Sequence, residues 1–288
     1  MTHIVNFGSI NIDHVYQVEH FVRPGETLSS KGYSKGLGGK GLNQSVALQR
    51  AGAQVVHAGC IGRDDVWVNE QLGQLALGGG AIAQVDAATG HALIQVNDEG
   101  ENCILLHAGA NHGLTVAMID AQLARSEVSW VLLQNETNHI ETILEKAHAA
   151  GKKIAFNPAP CHAELASLPL RLVDTLIVNE VEAVQLTGMD DLDAALAALH
   201  GIVSNVVLTL GGDGVRYSGV SGQFVQAAEK VAVKDTTAAG DTFIGYYLAS
   251  IMRGLAVLEA LALASRAAAI TVTRLGASSS IPYLDELN

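Results

Sequence analysis

In Asp235-Thr-Thr-Ala-Ala-Gly-Asp241 a run of small residues stands directly before an acid, at the point where an apolar, helix-like stretch begins. The first amides of a helix have no intrahelical acceptor and carry partial positive charge, so Ala239, Gly240 and Asp241 would present N–H groups to a phosphate in front of them. There the Asp241 carboxylate could take the proton of a hydroxyl as its oxygen attacks phosphorus, as a positioned carboxylate does in kinases. The competing reading is an ordinary acidic cap. A cap has no need of the small residues, whereas a closely approaching ligand does.

A second glycine-rich stretch, Gly36-Leu-Gly-Gly-Lys-Gly41, opens another helix, with Asn43 one turn in. Its spelling matches the dinucleotide fingerprint, which also requires a buried strand just before it, and Lys31-Gly-Tyr-Ser-Lys35 does not read as one. A turn that caps the helix, or amides that bind a polar ligand, remain open. Gly211-Gly-Asp-Gly214 follows the apolar run Asn205–Leu210 and reads either as a tight hairpin turn or as main chain that admits a nucleotide. Asn179-Glu180-x-Glu182 follows an apolar strand. It reads either as dipole-complementing acid or as a segment that binds a solvated Mg2+ through one carboxylate. The chain contains no Gly-x-x-x-x-Gly-Lys-Ser/Thr loop and no His-Glu-x-x-His pair, so nucleotide chemistry needs a different scaffold and zinc is not expected.

The elements that would position these groups follow from periodicity. Residues 3 to 8 read as a strand, with Asn11 and Asp13 just past its C-terminal end, where open α/β sheets bind ligands. Alternating residues from 14 to 35, broken by Pro24-Gly25, and two runs near 91 to 97 and 102 to 107 read as exposed antiparallel strands that could pair with one another. Elsewhere strands at 54–61, 129–134, 153–157, 175–178 and 205–210 alternate with helices at 138–150, 180–187 and 191–200. A helix at 66–77, a hairpin at 214–227 and helices at 240–253 and 256–270 complete the pattern, which implies βαβ units and a mainly parallel sheet.

With 288 residues, 49% hydrophobic and 16% charged, the chain can bury a full core with a sheet covered on both faces. A net charge of -12 argues against nucleic-acid and anionic-membrane partners. Three scattered cysteines suit reduced thiols, and no long apolar run escapes a charge, so a cytoplasmic setting is expected.

Taken together, these segments resemble the ribokinase family of carbohydrate kinases over essentially the whole chain. Gly38-Gly-Lys-Gly-Leu-Asn-Gln-Ser-Val-Ala-Leu-Gln-Arg-Ala-Gly52 and Asp235-Thr-Thr-Ala-Ala-Gly-Asp-Thr-Phe-Ile-Gly245 resemble its two signatures. Gly100–Asn111, Asn157-Pro-Ala-Pro160 and Asn179–Gly188 follow the family in order between them.

The resemblance implies a single α/β domain over residues 1–288. It would be a three-layer sandwich with a mainly parallel central sheet and a small β-sheet lid, inserted at about 13–36 and 91–107, that often mediates homodimerisation. It puts Asn11, Asp13, Gly39, Lys40, Asn43, Glu136 and Asp241 around a sugar, and Asn179, Thr209, Gly211, Gly212, Gly214, Gly240 and Ser265 around ATP. Glu182 would help to place Mg2+, Asp241 would be the base, and Ala238 to Gly240 would form its anion hole. K+ would be held by Asp235 and Ser280 and by carbonyls of Thr237, Thr271, Arg274 and Gly276. Ser265 stands where the family commonly carries Asn or His, and Thr271 where Ala is usual. The implied reaction is ATP-dependent phosphorylation of the 5-hydroxyl of D-ribose, with another pentose, a ketohexose or a nucleoside as the alternative acceptor. A non-catalytic sugar-binding protein and a dinucleotide-dependent oxidoreductase are the readings from other classes.

Overall fold

Strand β1 (His3–Phe7) shows how the core divides: Ile4 and Asn6 point to one face of the sheet, and Val5 and Phe7 to the other. The computed structural model describes residues 3–75, 77 and 81–287. Parallel to β1 run β4 (Gln54–Gly62) on one side and β8 (Val128–Gln134) on the other. Beyond β4 lies β5 (Ile82–Val85). Beyond β8 come β9 (Lys153–Asn157), β10 (Thr175–Asn179) and β11 (Asn205–Thr209), all parallel. The antiparallel hairpin of β12 (Val215–Gly219) and β13 (Gly222–Gln226) closes that edge. Among the described residues this makes one nine-stranded, mainly parallel sheet.

Helices cover both faces, as the apolar content requires. On the Ile4 face lie α1 (Lys40–Arg50), α2 (Val66–Gln74), α7 (Ala239–Met252) and α8 (Val257–Val272). On the Val5 face lie α3 (Val116–Leu123), α4 (Ile140–Ala149), α5 (Glu180–Thr187) and α6 (Leu192–His200). The result is the three-layer sandwich. Helices α1 and α7 cross at backbone distance, because Gly245 has no side chain where a Cβ would meet Ala47 and the Leu48 amide.

The lid is a separate four-stranded sheet of β2 (Asn11–Gln17), β3 (Gly32–Gly38), β6 (Gly90–Val96) and β7 (Asn102–His107), ordered β3-β2-β6-β7. It differs from expectation in two ways. Its strands begin at Asn11 and Gly90, so Asn11 and Asp13 belong to the lid itself. The two lid segments join through a parallel β2–β6 pair, and only the flanking pairs are antiparallel. Helix α3 and strand β5 were not expected from the sequence. In the plain stretch 73–81, residues 76 and 78–80 lie outside the described residues.

Candidate active site

Because side chains alternate along strands, the last inward residue of each strand on the Ile4 face falls at the C-terminal edge of the sheet. On β1, β8, β9, β10 and β11 these residues are Asn6, Gln134, Asn157, Asn179 and Thr209, a polar row across five neighbouring strands whose preceding inward residues are apolar. The N-termini of α1 and α7 sit over this row. Gly41 lets α1 come down onto the backbone of Gly8 and Ser9, where any Cβ would collide.

Helix α7 starts at Ala239, with Ala238 as its N-cap in a left-handed conformation (φ 60°), and makes no side-chain cap bond. Asp241 is therefore not a cap. It is 9% exposed and its carboxylate faces α1: Asn43 Nδ2 donates to Oδ2 at 3.0 Å and Gln44 Nε2 donates to Oδ1 at 2.9 Å. One expectation needs correction. The Ala239 amide already donates to the Thr236 carbonyl at 3.2 Å, so the first-turn donors left to face a ligand are those of Gly240 and Asp241.

In front of α7 lies a cavity of about 200 Å³, lined by Lys40, Asn157, Asn179, Glu182, Thr209, Ala238, Ala239, Gly240 and Asp241 among others. Three carboxyls, Asp241, Glu136 and Glu182, act on the Lys40 ammonium beside this cavity, and Asp13 feels the charges of Glu136 and Asp241. Burial, then the charges of Glu136 and Asp241, raise the Asp13 carboxyl to about 7. Burial also pushes Glu136 up, against the opposing pull of Lys40 and of its bonds from Ser9 and the Lys40 amide. Ser9 Oγ donates to Glu136 Oε2 at 2.5 Å and Lys40 N donates to the same oxygen at 3.0 Å. Burial disfavours the Lys40 charge, yet Asp241, Glu136 and Glu182 outweigh it and hold Lys40 above the usual lysine range. Burial raises Glu182 as well, opposed by the Asn179 amide and Lys40.

The two readings of Glu182 turn out to be compatible. Its Oε2 accepts from Asn179 N at 2.9 Å while Asn179 Oδ1 accepts from Glu182 N at 2.8 Å, a full capping box that still leaves a carboxylate oxygen at the cavity. That donor suits a hydrated Mg2+.

On the lid side, Asn11 Oδ1 accepts from Asn111 Nδ2 at 2.7 Å, and Asn111 Oδ1 accepts from Ile10 N at 2.9 Å. This leaves the Asn11 amide nitrogen as a donor for a ligand. Asp13 folds over Gly38, where a Cβ would strike its carboxylate. Gly39, at φ 93°, is the N-cap of α1. Since Gly36 and Gly38 belong to a lid strand, the dinucleotide reading of this stretch does not hold.

The groups expected around K+ lie on two segments that Asp235 ties together: Oδ1 accepts from Thr237 N at 2.9 Å and Oδ2 from Gly276 N at 3.0 Å. Partial burial raises the Asp235 carboxyl, but bonds from Thr237 and Gly276 outweigh it and hold it below the usual range. Ser280 Oγ donates to Ala277 O at 2.7 Å, which leaves lone pairs for a cation. The Thr271 hydroxyl donates to Ala267 O and Thr242 Oγ1, each at 3.0 Å, and the carbonyls of Thr271 and Arg274 are the ligands expected from that segment. An all-oxygen set of one carboxylate, one hydroxyl and carbonyls fits K+.

Gly211, Gly212, Gly214 and Ser265 do not line the cavity. The three glycines form the turn between β11 and β12; a Cβ at Gly211 or Gly212 would enter open space, and one at Gly214 would strike Gln226 O. Ser265 is buried on α8. The sequence reading missed Ser9, Gln44, Gln134 and Asn111. For Gln44 on α1 and Gln134 on β8 the available signal was polarity at positions whose periodicity demands apolar burial.

An α/β sandwich with a β-lid, and an acid at a helix N-terminus facing an ammonium-bearing cavity, define a kinase of small polar molecules. The chain belongs to the pfkB family of carbohydrate kinases, whose model matches residues 1–284. It is similar to ribokinase of Haemophilus influenzae, 37% identical over 97% of this chain and 95% of the relative. It is also similar to the crystal structure of ribokinase from Cryptococcus neoformans in complex with ADP (34% identity, TM-score 0.86, 100% of this chain and 99% of that one). The structure of Arabidopsis thaliana ribokinase complexed with ribose and ATP aligns at 26% identity and TM-score 0.87, covering 99% and 97% of the two chains.

Proposed function

We propose that the protein transfers the γ-phosphoryl group of ATP to the 5-hydroxyl of D-ribose. The observation that carries this reading is the placement of Asp241: buried, turned away from its own helix, and oriented by Asn43 and Gln44 at the rim of a cavity that also holds Lys40 and Glu182. The similarity to ribokinases over nearly the full chain supports ribose as the acceptor.

In this reading Asn11, Asp13, Gly39, Asn43 and Glu136 bind the sugar hydroxyls, with the lid strands β2 and β6 above them. Asp241 accepts the 5-hydroxyl proton as that oxygen attacks in line. The amides of Gly240 and Asp241, with the Lys40 ammonium, meet the negative charge spread over the transferring group. ATP lies along Asn179, Thr209 and the open turn Gly211–Gly214, with the adenine near Ser265. Glu182 holds Mg2+, which would neutralise phosphate charge. Asp235, Ser280 and the neighbouring carbonyls hold K+, which would brace the loop before α7.

A homodimer through the lids is part of the reading, supported by the edge strand β7, where Ile104, Leu105 and Leu106 are 56%, 68% and 43% exposed. A cytoplasmic setting is part of it too; among the described residues no helix is long and apolar enough to cross a membrane.

ADP release measured across a panel of pentoses, ketohexoses and nucleosides tests the substrate. D-ribose is expected to give the highest kcat/KM. A higher value for any other acceptor overturns ribose while leaving the kinase chemistry in place.

A further inference from the structure

Behind Asp241 lies a buried chain of side-chain amides that the proposed reaction does not itself use. Gln44, fully buried, donates from Nε2 both to Asp241 Oδ1 at 2.9 Å and to Asn157 Oδ1 at 3.2 Å. Its Oε1 accepts from Gln134 Nε2 at 2.6 Å, and Gln134 Nε2 also donates to Asn6 Oδ1 at 3.0 Å.

The chain ends on groups that can only accept. Asn157 Nδ2 donates to the Ile177 carbonyl at 3.0 Å, and Asn6 Nδ2 to the Gly41 carbonyl at 2.8 Å. Each end therefore dictates the sense of every amide between it and Gln44. The Ile177 carbonyl requires Asn157 to offer Oδ1 to Gln44 Nε2. The Gly41 carbonyl requires Asn6 to offer Oδ1 to Gln134, which then donates to Gln44 Oε1. Both ends agree: the Gln44 amide can only turn its N–H groups toward Asp241.

We propose that Gln44 is a positioning residue for phosphoryl transfer, clamping Oδ1 of Asp241 through an amide relay anchored at the Gly41 and Ile177 carbonyls, so that the carboxylate keeps one orientation toward the acceptor hydroxyl. The inference rests on the reading of Asp241 as base. Asn43 holds the other oxygen, so loss of Gln44 leaves the carboxylate in place but free to rotate about a single bond. Misplacement of a reacting group by about an ångström can cost about 100-fold in rate.

The test compares Gln44→Met, which keeps the volume and loses the donor, with Gln134→Met, which touches neither Asp241 nor the cavity, and with Asp241→Asn as control. Steady-state constants for ribose and ATP are normalised to active sites titrated with bound ADP. The expected result is a fall in kcat of about 10- to 100-fold for Gln44→Met and about 3- to 10-fold for Gln134→Met, with both KM values within about threefold of the parent. The double variant should be no worse than Gln44→Met, because the relay acts as a unit. A merely structural role would instead lower the thermal midpoint and the titrated fraction, with kcat per site unchanged. Unchanged kcat per site in Gln44→Met, with Asp241→Asn inactive, overturns the inference alone. If Gln44→Met does not fold, Gln134→Met decides by the same criterion. Full activity in Asp241→Asn overturns the base and the positioning role together.

Discussion

Asp13 is a group whose ionisation the protein resists and whose removal should therefore stabilise the fold while damaging function. Burial and the neighbouring Glu136 and Asp241 raise its carboxyl from 3.8 to about 7. At about 1.36 kcal/mol per unit, ionising Asp13 at pH 8 costs at most about 4 kcal/mol relative to the unfolded chain. Partial exposure of the side chain to solvent reduces this to about 1–2 kcal/mol.

A raised folded pKa means that the stability is fully present below the unfolded value and is lost as pH rises through the folded one. Asp13→Asn, which cannot ionise, should match the parent near pH 4, gain on it between pH 4 and 7, and keep a constant advantage above pH 7. For a chain of this size 1–2 kcal/mol corresponds to a rise in Tm of roughly 2–3 °C. Urea melts at pH 4, 6 and 8 measure it, together with kcat/KM for ribose, which should fall at least tenfold in the variant at pH 8. Equal stability of the two proteins at pH 8, or an advantage that does not change with pH, would refute the reasoning.

Gly38→Ala places a methyl group against the Asp13 carboxylate and should raise the ribose KM more than tenfold with the ATP KM unchanged, as steady-state kinetics on both substrates would show. Replacing K+ by a large organic cation should slow turnover several-fold, and Asp235→Ala should abolish the difference; equal rates in the two cations for the unmodified protein would remove K+ from the account.

Much of the architecture was legible because burial forces periodicity. The strands at 153–157, 175–179 and 205–209 are continuous apolar runs that end in a polar residue. Strand β5 is only four residues long at a sheet edge, too short to show a period. Helix α3 did carry a signal, since Thr115 accepts from the Met118 amide as its N-cap and Ile119 and Leu123 lie one turn apart, but the run is short and follows a glycine turn. The parallel pairing of β2 with β6 joins residues some eighty positions apart, which no local pattern encodes.

The site divides in the same way. Asp241 and the small residues before it could be read from helix-terminus chemistry, because one segment contains them all. Gln44, Gln134 and Asn6 act through contacts spanning up to 197 residues, and only the fold brings them together. Ala239 shows the reverse: its amide was expected to be free from position alone, and the turn through Thr236 consumes it.

The central claim is that Asp241 takes the proton of the acceptor hydroxyl, and Asp241→Asn tests it most directly. Asparagine keeps the size and can still be held at the rim of the cavity, but it cannot accept that proton. Single-turnover formation of ribose 5-phosphate should fall by about 10²- to 10⁴-fold, while calorimetric Kd values for ribose and for ADP stay within about threefold of the parent. Turnover within tenfold of the parent, with the same two affinities, would contradict the account and place the base elsewhere.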